Sequence, residues 1–154
     1  MSNKIILLVE DNPDDEALAL RALQKNIATN EIVVAHDGVD ALDYLFAEGS
    51  YSGRDTRIMP DLILLDLKLP KVNGLEVLRR IRDDKRTQCI PIVILTTSNE
   101  ERDLIESYIL GANSYICKPV GFAQFNQAVE QLGFYWLVLN VPPPMGRTVE
   151  SEDR

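Results

Sequence analysis

What the chain has little of narrows its reading first. It carries two cysteines, one histidine and no long run of Lys or Arg. Cys89 and Cys117 form neither a disulfide framework nor a metal-ligand spacing, so a reducing, cytoplasmic setting is expected. The absence of basic runs, with a formal net charge of −8, argues against a nucleic-acid or anionic-membrane partner, since both attract Lys/Arg patches. The N-terminal MSNKIILLVED offers five apolar residues before two acids, too few for a signal peptide or a membrane span. The lone histidine, His36, falls at a strand–helix junction and reads as structural. Cys117 reads as a small core residue and Cys89 as a loop residue.

What remains is an ordinary globular composition. The 154 residues, 45% hydrophobic and 26% charged, suffice for one domain with its own core. Short apolar runs alternate with segments of helical period. Ile5–Val9, Glu31–Ala35, Leu62–Leu65, Ile92–Leu95 and Ser114–Cys117 read as strands by length and β-branched content. The first, third and fourth are nearly all apolar, as in a parallel sheet covered on both faces.

The helices between them carry start signals. In DNPDDEALALRALQKN, Asn12 is the N-cap and Pro13 opens the helix. Asp14, Asp15 and Glu16 decorate its positive end, and Ala17, Leu20, Leu23 and Ile27 recur at helical spacing. HDGVDALDYLF sets Val39, Leu42 and Leu45 inward. NGLEVLRRIRDD has Asn73 as N-cap and Leu75, Leu78 and Ile81 inward. In SNEERDLIESYILGA, Ser98 and Glu101 stand in capping-box register and Gly111 is the stop. GFAQFNQAVEQLGFYWLVL is the last helix. Five β/α repeats result, with a long polar loop at 49–60. The tail 140–154 is polar and broken by three prolines.

In a doubly wound sheet, sites form outside the carboxyl ends of the strands. Glu10 and Asp11 follow strand 1, Asp66 follows strand 3, Thr96 ends strand 4 and Lys118 follows strand 5. Close carboxylates repel and raise one another's pKa. A hard divalent cation bound by oxygen ligands resolves that repulsion, and Mg²⁺ suits one or two carboxylates plus water. An acidic pocket with a cation and a lysine can receive a phosphoryl group on a carboxylate oxygen.

ILLVEDNPDD, PDLILLDLKLPKVNG, PIVILTTS and GANSYICKP together resemble the receiver domains of two-component response regulators, over about residues 4 to 139. The resemblance implies a flavodoxin-like (βα)₅ fold with strand order 2-1-3-4-5, a receiver domain over 1–139 and a tail over 140–154. It implies Asp66 as phosphoacceptor, and Mg²⁺ or Mn²⁺ held by Asp11, Asp66, the Lys68 carbonyl and Glu10, the last acting through water. Glu10 departs mildly from the commoner Asp. Thr96 matches the hydroxyl that bonds the phosphoryl group, Lys118 the invariant lysine, Pro119 a cis proline and Tyr115 the aromatic that moves with Thr96. The loop 49–60, DGVDALDYLF and GFYWLVLNVPP look like the response regulators of cyanobacterial phytochromes. That implies a light-regulated sensor histidine kinase as phosphodonor.

Output is then expected through the helix 4–strand 5–helix 5 face, since about 15 residues after the last helix cannot form an effector domain. Phe122, Phe125, Val129, Leu132 and Trp136 form one stripe, while Tyr135, Val138 and Val141 lie off it. A homodimer is expected through Phe122, Phe125, Tyr135, Trp136 and Val138; the alternative is a monomer whose prolines fold the tail over the patch. Competing activities fit less well. A haloacid-dehalogenase-type phosphatase needs an acid two residues after its Asp, where Lys68 stands. An FMN site needs phosphate-cradling amides after strand 1, where Glu10 and Asp11 would repel phosphate. A degenerate scaffold would lack some of the key residues. The expectation is a phosphoacceptor that assists its own phosphorylation and dephosphorylation, not an enzyme acting on external substrates.

Overall fold

The structure is a computed structural model of the chain, and it describes residues 4–26, 31–118 and 122–143. Ile27 and Pro119 lie outside the described residues, as do the side chains of Phe122 and Val138. Five parallel strands, β1 (Ile5–Val9), β2 (Glu31–Ala35), β3 (Leu62–Leu65), β4 (Ile92–Thr96) and β5 (Ser114–Cys117), line up in the order β2-β1-β3-β4-β5. Between and after them run α1 (Pro13–Asn26), α2 (Gly38–Phe46), α3 (Gly74–Asp83), α4 (Glu101–Ile109) and α5 (Phe122–Gly133). The chain then widens into a π-helical stretch over Phe134–Leu139.

The strands follow from their apolar runs, and their period of two splits the core into layers. Leu7, Val9, Ile63, Leu65, Ile92 and Ile94 point to one face, under Leu42, Leu45, Val77, Leu78 and Ile81 of α2 and α3. Ile6, Leu8, Leu62, Leu64, Val93 and Leu95 point to the other, under Ala19, Ala22 and Leu23 of α1 and Phe125 and Val129 of α5. Each fully buried aliphatic side chain is worth roughly 1.5–3 kcal/mol, so the three inner strands anchor the fold.

Several helix faces differ from the expectation. The buried side of α1 is Ala19, Ala22 and Leu23, with Ala17 exposed. Val39 is 37% exposed, and Ala41 takes the inward place beside Leu42 and Leu45. Small side chains set the close approach at these crossings, which an apolar-only pattern misses. Cys117 is exposed rather than in the core, because β5 is an edge strand whose residues are at most half-buried. Phe125 is 3% exposed and belongs to the core, which removes it from the expected interface. Trp136 packs half-buried against the same layer.

Caps and clamps hold the loops. Asn12 Oδ1 accepts from the amides of Asp14 and Asp15 at 2.9 and 3.1 Å, and Asn73 Oδ1 from Glu76 N at 3.0 Å, both as the sequence predicts. Ser98 does not cap α4; Glu100 occupies that position without a side-chain bond. Loop 49–60 is pinned by Arg54, which donates to the carbonyls of Leu45 and Ile58 and lies over the Tyr44 ring at 4.3 Å. Arg82 does the same between α3 and the loops before β4 and β5, donating to the carbonyls of Gln88, Ile90 and Gly111.

Gly74 opens α3 directly against the end of β3. A Cβ there would stand 2.3 Å from the Asp66 carbonyl oxygen, which is backbone and cannot swing aside. Gly74→Ala is expected to destabilise the protein by about 1–3 kcal/mol through overpacking and to displace the loop that carries Asp66. Urea unfolding of the two proteins checks this; an unchanged midpoint would refute the close-packing account.

Candidate functional site

The parallel sheet delivers its strand ends to one rim, and the polar residues there come from four of them. Glu10 follows β1, its amide bonded to the Ala35 carbonyl at 2.9 Å. Asp66 follows β3 and extends the ladder, its amide donating to the Val9 carbonyl at 3.1 Å. Lys118 follows β5, its amide donating to the Thr96 carbonyl at 2.6 Å. Backbone pairing therefore carries these side chains together to the rim.

Glu10, Asp66 and Lys118 are 2, 6 and 7% exposed, too buried for unpaired charges. Lys118 Nζ donates to Glu10 Oε1 at 2.7 Å and Asp15 Oδ2 at 2.9 Å, and lies 3.6 Å from Asp66 Oδ2. Asp66 Oδ1 accepts from the Lys68 amide at 3.1 Å. Asp11 is exposed at the mouth. Asp15, which the sequence presents only as helix-start decoration, is thus part of the site. Its one visible signal is its place four residues after Asp11, on the turn that Asn12 caps.

Burial pushes the Glu10 carboxyl up to about 7; its bond to Lys118 opposes the shift and the neighbouring Asp66 charge adds to it. Burial works against the Lys118 ammonium, but its bonds to Glu10 and Asp15 and the Asp66 charge prevail and hold its pKa above the ordinary value. The lysine is a fixed positive charge.

Among the described residues, one carboxylate oxygen each from Glu10, Asp11 and Asp66 lie within 4.8 Å of one another. This all-oxygen, partly open set fits a hard divalent cation of the Mg²⁺ or Mn²⁺ kind. Of the two expected switch residues, Thr96 is fully buried at the end of β4 and its Oγ1 accepts from Ser98 N at 3.4 Å. Tyr115 is half-buried and donates its hydroxyl to the Ser98 carbonyl at 2.9 Å. His36 lies outside the site, exposed and 2.8 Å from Glu16.

The pattern of the response regulator receiver domain matches residues 6–130. The chain belongs to that family. It is 44% identical over 140 residues to the probable methanogenesis regulatory protein FilR2 of Methanothrix harundinacea, covering 90% of this chain and 87% of FilR2. It is 38% identical to the response regulator Rcp1 of Synechocystis sp., covering 87 and 89% of the two chains. The Mn²⁺-bound form of Rcp1 superposes with a TM-score of 0.82, at 37% identity over 92% of this chain and 99% of that one. The phosphorylated cyanobacterial phytochrome response regulator RcpA superposes at 0.85, with 41% identity over 93% of this chain and all of that one. The doubly wound fold and its strand order are those of a receiver, as the sequence implies, and Mn²⁺ binding by the similar Rcp1 accords with the oxygen-rich cluster. Response regulators of this family are signalling proteins. No helix among the described residues is long and apolar enough to cross a membrane.

The raised Glu10 pKa gives a signed prediction for the metal-free protein. Between its ordinary value of 4.5 and about 7, the folded state holds a proton that the unfolded state has released. Stability contributed by this group is therefore full below about 4.5 and falls as pH rises through about 7, by up to ~3 kcal/mol. Denaturation midpoints from pH 4.5 to 8 check this against Glu10→Gln, in which the decline is expected to flatten. An equal decline in both proteins would assign it elsewhere.

Proposed function

We propose that this protein is the phosphoacceptor of a two-component pathway, taking a phosphoryl group on Asp66 from a phosphohistidine of a sensor kinase. The observation that carries the reading is Lys118 Nζ, held by Glu10 and Asp15 at 3.6 Å from Asp66 Oδ2. An Asp66 oxygen attacks phosphorus while the P–N bond of the phosphohistidine breaks, and the electron pair leaves on the imidazole. The Lys118 charge offsets the negative charge on the phosphoryl oxygens, and the Lys68 amide fixes the carboxylate that attacks. Glu10, Asp11, Asp66 and the Lys68 carbonyl would hold Mg²⁺, whose charge, when bound, neutralises the same oxygens. Thr96 follows the phosphoryl group, and Tyr115 moves with it.

The reading of the kinase as a phytochrome rests on the likeness to RcpA and on loop 49–60. FilR2 is similar to a comparable degree, so the partner is settled by transfer and not by likeness. Signalling through the α4–β5–α5 face, and homodimer formation there, accord with an exposed apolar set that the sequence reading placed on α5 alone. Ile105, Tyr108 and Ile109 of α4 are 49, 50 and 77% exposed, and Tyr135 is 49% exposed. These side chains present an apolar surface of the kind that marks interfaces.

Incubation with Mg²⁺ and acetyl phosphate, read by intact-protein mass spectrometry, is expected to add one base-labile phosphoryl group. Asp66→Asn is expected to abolish it, and undiminished labelling of that variant would sink the assignment. A phytochrome kinase labelled on its histidine is expected to pass the group on, while a kinase without a photoreceptor is expected to do so at least tenfold more slowly. Sedimentation should show a dimer that Ile109→Lys with Tyr135→Lys converts to a monomer; a wild-type monomer both with and without the phosphoryl group would contradict the dimer.

A further inference from the structure

α4 is attached unlike the other helices. The side chains it buries are Asp103 and Ser107, both polar, whereas α3 buries Val77, Leu78 and Ile81. Ser107 Oγ is buried without a hydrogen-bond partner, so it adds little hold. Asp103, 8% exposed, accepts from Ser98 Oγ at 2.6 Å, and the Lys68 ammonium lies 3.8 Å from the same oxygen, Oδ2.

One partner touches the phosphoacceptor and the other touches the two switch residues. Lys68 gives its amide to Asp66 Oδ1. Ser98 gives its amide to Thr96 Oγ1 and its carbonyl to the Tyr115 hydroxyl. One carboxylate oxygen therefore joins the loop after β3, the loop after β4 and the first turn of α4. A buried carboxylate is costly to leave unpaired, so these bonds act as a unit.

We infer that Asp103 is a positioning residue that latches α4 to the phosphorylation site and holds the Lys68 side chain away from Asp66. This rests on Asp66 being the phosphoacceptor. A phosphoryl group there presents a competing anion to Lys68 and draws Thr96 out of its bond to Ser98. Both ties to Asp103 loosen together, and α4, whose buried side chains are polar and whose apolar hold on the core is Leu110 at its C-cap, shifts at its N-terminal end. The latch also sets the phosphoryl lifetime. In hydrolysis a water oxygen attacks phosphorus, the bond to Asp66 breaks with its electron pair returning to the carboxylate, and inorganic phosphate and a proton leave. Lys68 released from Asp103 covers the phosphoryl oxygens and obstructs that water.

The test uses the full chain, labelled with Mg²⁺ and acetyl phosphate and then freed of donor. Asp103→Asn is expected to lengthen the phosphoryl lifetime about threefold, the scale of one partly exposed ion pair. In a Lys68→Ala background the same substitution is expected to have no effect, which a merely structural role would not produce. Amide shifts of α4 on phosphorylation are expected to shrink in Asp103→Asn, since the unlatched helix already populates its shifted position. Ser98→Ala serves as a second variant, with the same shrinkage expected, should Asp103→Asn fold poorly. Unchanged lifetime and full α4 shifts in a labelled variant overturn the latch and leave Asp66 standing. Absence of labelling on wild-type Asp66 overturns both.

Discussion

A lysine ammonium with 7% of its surface in water has to be surrounded by acceptors, and the rim of this sheet is arranged around that need. Removing an ion from water costs several kcal/mol unless close, well-aligned counter-charges replace the solvent. Glu10, Asp15 and Asp66 supply them from three separate parts of the chain. Conversely, three carboxylates this near one another would not stay charged without the lysine or a cation. Each element that feeds the rim is thereby tied to the others: β5 brings the lysine, β1 and the capped start of α1 bring two acids, and β3 brings the third. Gly74 lets α3 begin close enough to leave the Asp66 loop tight.

The same constraint makes the site responsive. Glu10 sits near neutrality, so a modest change in local charge changes its protonation, while Lys118 stays charged. A phosphoryl group would bring up to two negative charges into this setting. Two of the three Lys118 donors already serve Glu10 and Asp15, which would leave one for the added charge. In the latch proposed above, the Lys68 side chain and the Thr96 hydroxyl would take up the rest. Thr96 is bonded to Ser98, and Ser98 and Lys68 both meet Asp103, so by that proposal the change at Asp66 would reach α4 by contact.

The strands were legible in the sequence because burial on both faces leaves an apolar run with little ambiguity, and the N-caps at Asn12 and Asn73 because one side-chain oxygen decides each. The placing of Glu10, Asp66, Thr96 and Lys118 at one rim followed from strand ends alone. Asp15 and Asp103 were not legible. Asp15 lies 103 residues from Lys118, and an acid in a first helical turn already has a sufficient local explanation. Asp103 shares that camouflage. Cys117, Phe125 and Val39 went astray for a different reason. Their burial depends on which strands lie at the edge and on how closely helices cross, and a single segment contains neither fact. Ser98 had the right residue type for a cap, but its hydroxyl donates to Asp103 at 2.6 Å and its oxygen accepts from the Glu100 amide, before the helix begins.

A helix that buries apolar side chains cannot move far without exposing them, at roughly 25 cal/mol per Å². α3, with Val77, Leu78 and Ile81 inside, is fixed on that ground. α4 faces a smaller cost, because the side chains it buries are Asp103 and Ser107, its apolar residues Leu104, Ile105, Tyr108 and Ile109 are 38–77% exposed, and Leu110 at its C-cap is its apolar contact with the core. Local opening free energies follow just this distinction between apolar and polar attachment. The helix that displays Ile105, Tyr108 and Ile109 is therefore held less firmly than α3, and Asp103 ties it to Lys68, whose amide holds Asp66. A surface that is both apolar and loosely held can be presented in one state and altered in the other, which a rigidly anchored patch could not be.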